Sequence, residues 1–387
     1  MAEISTCPPL TRASVQEAAA RIRGKLHRTP IFSSTFIDSI ASSTRTTKEL
    51  KGTQWEGQQP SRPRLHIMLK CENLQRIGAF KPRGAFNAML RYQEERHRAS
   101  VSDATAGTES SMALPVRIIS HSSGNHAQAV ALAANELGYP AHIVMPSVSM
   151  PAKIAATQGY GATVHFSGPT PQERLTVVDR LLSEEGFDNV FVPPYDHPDT
   201  ILGQGTLGLE IQEQMTEVLP SSHKLHAIMA PCGGGGMLSG TALSCHGTSI
   251  KVFGAEPSFE GADDCRRGIE AGKRIEVVKS TTIADGLRTP VGAIPWRVIS
   301  NPEYVQGVFS ATEDQIRDAL ELVLQRMKIL IEPSSAVPLA VALYNEEFRR
   351  MIEEECIKSG EVFNLALVVS GGNLDVRRLP ELLRPVL

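Results

Sequence analysis

The sequence predicts an α/β protein with mostly parallel sheets, and three observations predict it. Short apolar runs recur along the chain, and each is followed by a turn containing glycine or serine and then by a helical pattern. Apolar residues make up 41%, so a sizeable core can form. Aromatic residues make up only 5%, which favours closely packed helices on a sheet over an aromatic-rich β-sandwich.

Seven apolar runs are predicted strands, because each is bounded by turn residues and is short for a buried helix. Stretches with the apolar spacing of helices lie between them. Strands that alternate with helices pair in parallel and are covered on both faces. The predicted strands are 66–70, 116–120, 141–146, 162–166, 226–231, 252–255 and 365–370, and the predicted helices include 127–137, 152–159, 313–327 and 338–358.

The length of 387 residues predicts two or three domains. Two polar stretches, 42–64 and 99–111, interrupt the alternation of strands and helices, and we expect them to be surface insertions. The net charge of −3 gives no overall positive potential for nucleic acid or an anionic membrane, so neither is an expected partner.

The sequence also predicts a cytoplasmic protein. It has no apolar run of membrane-spanning length, and its N-terminal stretch lacks the apolar segment of a signal peptide. The six cysteines lie far apart without a CxxC motif, which indicates reduced thiols rather than a disulfide framework.

A run of four glycines, Gly233–Gly236, follows the predicted strand 226–231 and precedes a helical stretch. Successive backbone N–H groups at a helix start form an anion site, which glycine allows an anion to approach closely. No Lys–Ser/Thr pair follows, so the run is not a P-loop, and the dinucleotide spacing G-x-G-x-x-G is absent. The run therefore predicts a phosphate site, with an ordinary tight turn as the alternative.

Lys81 lies in GAFKPRGA, between a glycine turn and a helical stretch. A lysine reacts with an aldehyde only where its amine is held in place and is partly deprotonated. The flanking Gly78, Pro82 and Gly84 make Lys81 a candidate for this chemistry, and a solvated surface charge is the alternative.

Two more polar loops follow predicted strands, SSGNH at 122–126 and SGGN at 370–373. Helix capping would explain one of Ser122, Ser123 and Asn125, but not several together. Because loops after parallel strands share one edge of a sheet, where open α/β sheets bind ligands, we expect these loops to border one site.

An acidic loop follows the predicted strand 252–255 and holds Glu256, Glu260, Asp263 and Asp264. Carboxylates this close together repel unless a cation or solvent separates them, and oxygen ligands suit Mg²⁺ or Ca²⁺. A solvated acidic loop is the alternative. Histidines show no zinc-binding spacing, and no G-x-S-x-G motif supports a serine hydrolase.

Six motifs in order give the chain a family resemblance: GAFKPRGA, SSGNHAQA, GGGGMLSG, TIADG, QRMKILIEPS and SGGN. Over about residues 15–378 it resembles the fold-type II pyridoxal-phosphate enzymes of the serine racemase and serine/threonine dehydratase group. The resemblance implies two open, mostly parallel twisted sheets with flanking helices and the cofactor in the cleft between two domains. It implies a large domain from residues 1–116 and 197–387, a small mobile domain from residues 117–196, and a homodimer.

The resemblance also assigns roles to residues of this chain. Lys81 would hold the cofactor covalently, Phe80 would pack beside its ring, and Ser370 would face the pyridine nitrogen. Asn125 would bind the ring oxygen, and Glu332 of the EPS motif belongs to the same cofactor set. The phosphate would lie on Gly233, Gly234, Gly235, Gly236 and Met237, and the substrate on Ser122, Ser123, Asn125, His126 and Arg174.

Ser123 bears most directly on the reaction that the resemblance implies. Lys81 and Ser123 would be the two acid–base groups on opposite faces of Cα, which racemisation of serine needs. Elimination of water to give pyruvate and ammonia would accompany it. Tyr195, which stands in the YDHP form of fungal-type members, leaves a dehydratase of L-threonine, L-serine or threo-3-hydroxyaspartate as an alternative. A protein that binds the cofactor or an amino acid without catalysis is the alternative of a different class.

The resemblance further implies a divalent cation on Glu256, the carbonyl of Ala262 and Asp264. Mg²⁺ is the expected ion, with Ca²⁺ or Mn²⁺ as alternatives. The loop is two residues longer here than in the family pattern. The resemblance leaves activation by ATP open.

Overall fold

The strands of the protein form two sheets, seen in a computed structural model that describes residues 4–105 and 114–383. The larger sheet has the order β1-β2-β10-β7-β8-β9, with only β1 antiparallel, and the smaller has the parallel order β5-β4-β3-β6. The strands are β1 Ile31–Ser33, β2 Leu65–Cys71, β3 Val116–His121, β4 Ala141–Pro146, β5 Thr163–Ser167, β6 Asp188–Phe191, β7 Ala227–Pro231, β8 Lys251–Pro257, β9 Gly307–Ala311 and β10 Phe363–Val369.

Helices cover both sheets, as the alternating pattern predicts. Beneath them, β2, β7, β8 and β10 are buried along almost their whole length. The α-helices of the described residues are α1 Arg12–Arg21, α2 Thr35–Ala41, α3 Pro82–Thr105, α4 Asn125–Glu136, α5 Pro151–Gly159, α6 Pro171–Leu182, α7 Pro198–Val218, α8 Gly236–Cys245, α9 Asp264–Glu270, α10 Ala293–Ile299, α11 Glu313–Leu322, α12 Pro333–Tyr344, α13 Glu346–Ser359 and α14 Leu379–Leu382.

The predicted fold class is confirmed, and all seven predicted strands are present within a residue or two. The sequence analysis missed β1, β6 and β9, which are short or carry polar residues. Two helix predictions were wrong in detail. The predicted helix 338–358 is two helices, because Asn345 has extended backbone and its side chain accepts the Phe348 N–H to start α13. The predicted helix 313–327 ends at Leu322 and continues as one π-helical turn.

Hydrogen bonds with two side chains of α13 hold the polar stretch 42–64 and the residue before it. The buried Arg349 guanidinium donates to the carbonyls of Ala41 and Ser43, both at 2.6 Å. The Glu346 carboxylate accepts the N–H of Ser61 at 2.8 Å. Of the other polar stretch, residues 99–105 continue α3 and residues 106–111 lie outside the described residues.

The chain leaves the larger sheet after β2, builds the smaller sheet from β3 to β6, and returns at β7. Helix α3 bridges the two, because its apolar face shares a core with α4 and β3 while it also packs on α7. The ends of β2, β7 and β10 therefore face the ends of β3 and β6 across a cleft. Among the described residues, none of the helices is long and apolar enough to cross a membrane.

Candidate active site

Lys81 lies directly before α3, where a buried ion network anchors the chain. Two residues on, the Arg83 guanidinium donates to Glu72 at 2.7 Å and to Glu210 at 3.0 Å. The Lys81 Nζ donates to the carbonyl of Pro194 at 2.8 Å. Burial lowers the pKa of Lys81 to about 8, although the charge of Glu332 partly opposes the shift. About a tenth of the amine is therefore neutral at pH 7, far more than for an ordinary lysine, which suits nucleophilic attack and proton transfer.

The four glycines connect β7 to α8, as the sequence analysis predicts. Gly235 has a φ of +85°, which residues with a side chain rarely adopt, and provides no side-chain cap. Every residue of α8 is buried. The first N–H groups of a helix have no partner within it, so this buried start can bind an anion such as a phosphate.

Tyr195 packs against this glycine loop. A Cβ on Gly234 would lie 2.4 Å from the Tyr195 Cγ, so only glycine fits there. The next residue, Asp196, accepts the backbone N–H groups of Ala293 and Ile294 at the start of α10, at 3.0 and 2.8 Å. The loop that carries the Pro194 carbonyl, the partner of Lys81, is thereby held against the predicted phosphate site.

Asn125, Glu332 and Asn373 form one hydrogen-bonded group beside Lys81. The Asn125 Nδ2 lies 3.1 and 3.2 Å from the two carboxylate oxygens of Glu332, and its Oδ1 accepts from Asn373 Nδ2 at 2.8 Å. Burial, and then the charge of Asp285, raise the pKa of Glu332 to about 7. This carboxyl can therefore hold a proton near neutral pH.

Ser370 ends β10 and is buried beside Ser335. The Ser335 hydroxyl donates to the carbonyl of Gly371 at 2.7 Å and accepts the N–H of the same residue at 2.8 Å. The Ser335 and Ser370 hydroxyls lie 3.0 Å apart, a contact in which either hydroxyl can donate. Ser370 also fixes the chain next to Lys81, because its carbonyl accepts the Phe80 N–H at 3.1 Å. The Phe80 ring centroid lies 5.0 Å from the Lys81 Nζ.

Neither serine hydroxyl of the loop before α4 caps that helix. Gly124, not a serine, is the N-cap residue, and no side chain caps the helix. The Ser122 hydroxyl accepts the Gly124 N–H at 3.1 Å, and Ser123 is exposed. The proposed capping role therefore does not account for either hydroxyl.

His126 and Arg174 occupy different settings. The His126 side chain is buried, with Nε2 donating to the Val192 carbonyl at 3.0 Å, and burial followed by the charge of Lys81 lowers its pKa to about 3. A contribution of His126 to substrate binding would fall to its backbone N–H. Burial lowers the pKa of Arg174, and the neighbouring Tyr195 opposes that shift.

Sequence reasoning missed the ion pair between Lys153 and Asp285, 2.7 Å apart. Lys153 lies on α5, beside the smaller sheet, and Asp285 lies in the TIADG motif beside the larger one. The pair spans the cleft between the two sheets. The TIADG motif was the only signal in the sequence, since nothing in PAKIAATQG distinguishes Lys153 from a surface lysine.

A model for the family described as pyridoxal-phosphate dependent enzyme matches residues 55–356. The chain belongs to the pyridoxal-phosphate-dependent enzymes. Rat serine racemase is 35% identical over 370 residues, which are 95% of this chain and 94% of that protein. L-threo-3-hydroxyaspartate ammonia-lyase from a Pseudomonas species is 34% identical over 375 residues, 96% of this chain and 97% of that one. The solved structure of maize serine racemase has a TM-score of 0.76 and 34% identity, and the match covers 96% of both chains.

The residues around Lys81 fit pyridoxal phosphate in this enzyme. Lys81 offers a partly neutral amine, the buried start of α8 offers uncapped N–H groups for the phosphate, and Ser370 offers a hydroxyl whose proton can be donated. The resemblance stated from the sequence is thus confirmed at the level of family and cofactor.

The acidic loop fits a hard divalent cation only in part. Glu256 is fully buried, and its two carboxylate oxygens accept the backbone N–H groups of Cys265 and Arg266 at 3.1 and 3.0 Å. The Asp264 carboxylate accepts the Val291 N–H at 3.0 Å. Burial raises the pKa of Asp264 to about 6 and that of Glu256 well above its ordinary value. The thiols of Cys232 and Cys265 also lie against Glu256, whereas Mg²⁺ and Ca²⁺ take oxygen ligands.

Proposed function

We propose that this pyridoxal-phosphate enzyme racemises serine and, in an accompanying reaction, eliminates water from it to give pyruvate and ammonia. The observation that carries the proposal is Lys81, a buried amine with a pKa of about 8 that lies close to the helix start carrying the SSGNH motif. The similarity to serine racemases over nearly the whole chain supports the substrate.

Bound pyridoxal phosphate withdraws electrons from Cα and so acidifies its proton. On one face, the neutral amine of Lys81 accepts that proton, and on the other face the Ser123 hydroxyl delivers one. Delivery by Ser123 inverts the configuration of the amino acid. Loss of the β-hydroxyl group instead gives the elimination product, which hydrolyses to pyruvate and ammonia.

The remaining side chains hold the reactants. Ser122, Asn125 and the backbone N–H groups at the start of α4 would bind the substrate carboxylate, since Gly124 leaves that helix start without a side-chain cap. Ser370 would donate a hydrogen bond to the pyridine nitrogen, which would stay unprotonated opposite a neutral hydroxyl. Reduced electron withdrawal into the ring would then disfavour transamination.

Ammonia-lyase action on threo-3-hydroxyaspartate is a second candidate, favoured by one observation. Arg174 lies beside Tyr195, which packs on the glycine loop, and could pair with a second carboxylate of the substrate. The ammonia-lyase of the Pseudomonas species, which its name assigns to that substrate, is nearly as similar to this chain as the serine racemases.

The decisive experiment supplies L-serine and separates the products by chiral chromatography. We expect D-serine together with pyruvate from the wild-type enzyme. Ser123→Ala should lose D-serine formation while keeping elimination, and Ser122→Ala, its neighbour on the same loop, should weaken both reactions equally by raising KM. Absence of D-serine from the wild-type reaction would leave the ammonia-lyase candidate, which the same assay with threo-3-hydroxyaspartate tests.

Covalent attachment separates an enzyme from a non-catalytic binder. Borohydride reduction followed by peptide mass spectrometry should find the cofactor on Lys81, and Lys81→Ala should remove both the adduct and the yellow colour. An adduct that persists in Lys81→Ala would disprove the role of Lys81.

We propose three further properties with their support. The division into a small domain of residues 117–196 and a large domain of residues 1–116 and 197–387 is supported by the two separate sheets. Closure of the small domain is supported by the Lys153–Asp285 ion pair across the cleft. A homodimer rests on the family resemblance and can be checked by sedimentation. A cytoplasmic location is supported by the six cysteines, none of which forms a disulfide although all lie in the described ranges.

A further inference from the structure

Cys232, Glu256 and Cys265 form a compact buried cluster next to the glycine loop. One ligand atom from each, the two Sγ atoms and a carboxylate oxygen, lie within 4.8 Å of one another. The exposed fractions of the three residues are 1%, 0% and 1%. The fold sets this arrangement, because β7 and β8 pair in parallel and the Cys232 N–H donates to the carbonyl of Ala255, directly before Glu256.

Glu256 has no cationic side chain to balance its charge. Among residues 4–105 and 114–383, no lysine, arginine or histidine nitrogen lies within 4.0 Å of its carboxylate. The nearby arginines turn to other partners: Arg266 pairs with Glu270 at 3.0 Å, and Arg267 pairs with Asp263 at 2.9 Å. The carboxylate accepts two backbone N–H groups, which orient it without neutralising it. A buried carboxyl in such surroundings stays protonated unless a cation takes the place of that proton.

We propose that Cys232, Glu256 and Cys265 bind one thiophilic divalent cation of the Zn²⁺ class. Two sulfur ligands and one carboxylate oxygen match the donors that Zn²⁺ takes in tetrahedral sites, whereas Mg²⁺ and Ca²⁺ bind through oxygen alone. Asp264, directly before Cys265, can supply the fourth ligand, or a water molecule can. As the metal binds, the two thiol protons and the proton of the Glu256 carboxyl pass to solvent.

The site differs from the cation site that the family resemblance implies. That site uses only oxygen atoms, from Glu256, Ala262 and Asp264, and has no use for Cys232. Cys232 also connects the cluster to the cofactor. It precedes Gly233, the first glycine of the loop, and its thiol contacts the Gly233 carbonyl at 3.6 Å. A metal on Cys232 would fix the start of that loop, so metal occupancy and cofactor affinity should rise and fall together.

The test uses the full-length holoenzyme produced with Zn²⁺ in the medium, and a second preparation produced with ¹¹³Cd²⁺. Elemental analysis should find one Zn²⁺ per chain that excess Mg²⁺ does not displace. The ¹¹³Cd resonance should lie in the range of mixed sulfur and oxygen ligation, far downfield of all-oxygen sites. Cys232→Ser and Cys265→Ser should weaken Zn²⁺ binding by more than the roughly 10- to 100-fold that loss of an outer-shell partner costs. Cys245→Ser is the matched control, because Cys245 is buried at the far end of α8 and should leave the metal content unchanged.

The wild-type spectrum decides the proposal even if a cysteine variant fails to fold. A ¹¹³Cd resonance in the all-oxygen range would overturn it, as would displacement of Zn²⁺ by Mg²⁺. Retention of wild-type Zn²⁺ affinity by folded Cys232→Ser would also overturn it. A preparation that binds no metal at all would do the same.

Discussion

Gly234→Ala should weaken cofactor binding because its new methyl group would overlap the Tyr195 ring. The added Cβ would lie 2.4, 2.5 and 2.6 Å from Cγ, Cδ1 and Cδ2 of that ring, against an optimal carbon–carbon contact of about 3.5–4.0 Å. The ring would have to retreat by about 1 Å. The Tyr195 ring has little freedom to move, since the carboxylate of the next residue, Asp196, accepts hydrogen bonds from two backbone N–H groups of α10.

Overpacking of this kind costs about 1–3 kcal/mol. If the cost falls on the bound state, the Kd for pyridoxal phosphate should rise by about 5- to 150-fold, since about 1.4 kcal/mol corresponds to a factor of ten. Absorbance titration of the cofactor-free protein measures this Kd.

Two controls isolate the cause. Gly159→Ala adds the same methyl group where no atom lies within 4 Å of the new Cβ, so it should leave the Kd unchanged. In a Tyr195→Ala background the clash is gone, so Gly234→Ala should then cost much less than in the wild-type enzyme. Equal costs in the two backgrounds, or wild-type affinity in Gly234→Ala, would refute the steric argument.

Three other predictions concern ion pairs and protons. Asp285→Asn should raise KM by up to roughly fivefold with little change in melting temperature, because the ion pair of Asp285 with Lys153 is partly exposed and spans the cleft. Steady-state kinetics measure the KM, and a lower melting temperature with unchanged KM would contradict the prediction. The pKa of Glu332 rises from 4.5 to about 7 on folding, so the folded cofactor-free protein should lose roughly 3 kcal/mol as pH rises through that interval. Glu332→Gln should abolish this loss in urea unfolding at several pH values, and identical pH profiles would refute the assignment. Arg349→Ala should cost about 2–4 kcal/mol in the same assay, because it removes the buried donor to the carbonyls of Ala41 and Ser43. A cost below about 1 kcal/mol would show that this side chain does not hold the start of the 42–64 stretch.

Most of the strands that the sequence revealed are buried along almost their whole length, and the partly exposed β5 is the exception. Strand β6 was not predicted because its first residues, Asp188 and Asn189, are polar. Their partners come from elsewhere in the fold: the Tyr92 hydroxyl donates to Asp188, and Arg117 donates to Asn189 at 2.9 Å. A pattern of apolar residues contains no sign of such partners, so only the assembled sheet shows that these polar residues belong to a strand.

Some features of the candidate site can likewise be predicted from the sequence, and others appear only in the folded chain. Lys81 and the glycine loop were predictable, because a framed lysine and a glycine run leave local signals. The contact of Lys81 with the Pro194 carbonyl and that of Ser335 with the Gly371 carbonyl were not, since each joins elements far apart in the chain. The thiols beside Glu256 were also missed. The sequence analysis interpreted the cysteines as isolated, and only the pairing of β7 with β8 and the turn into α9 bring Cys232 and Cys265 to the same carboxylate.

The position of β10 has a consequence for how the enzyme is made. This strand comes last in the sheet by sequence, yet it lies in the middle, between β2 and β7. It also carries Ser370, whose carbonyl holds the residue next to Lys81. Until β10 has been synthesised, β2 and β7 therefore have no strand between them, and the cofactor site is incomplete. Pairings over such sequence distances form slowly, so capture of pyridoxal phosphate should follow the synthesis of β10 and its insertion between β2 and β7.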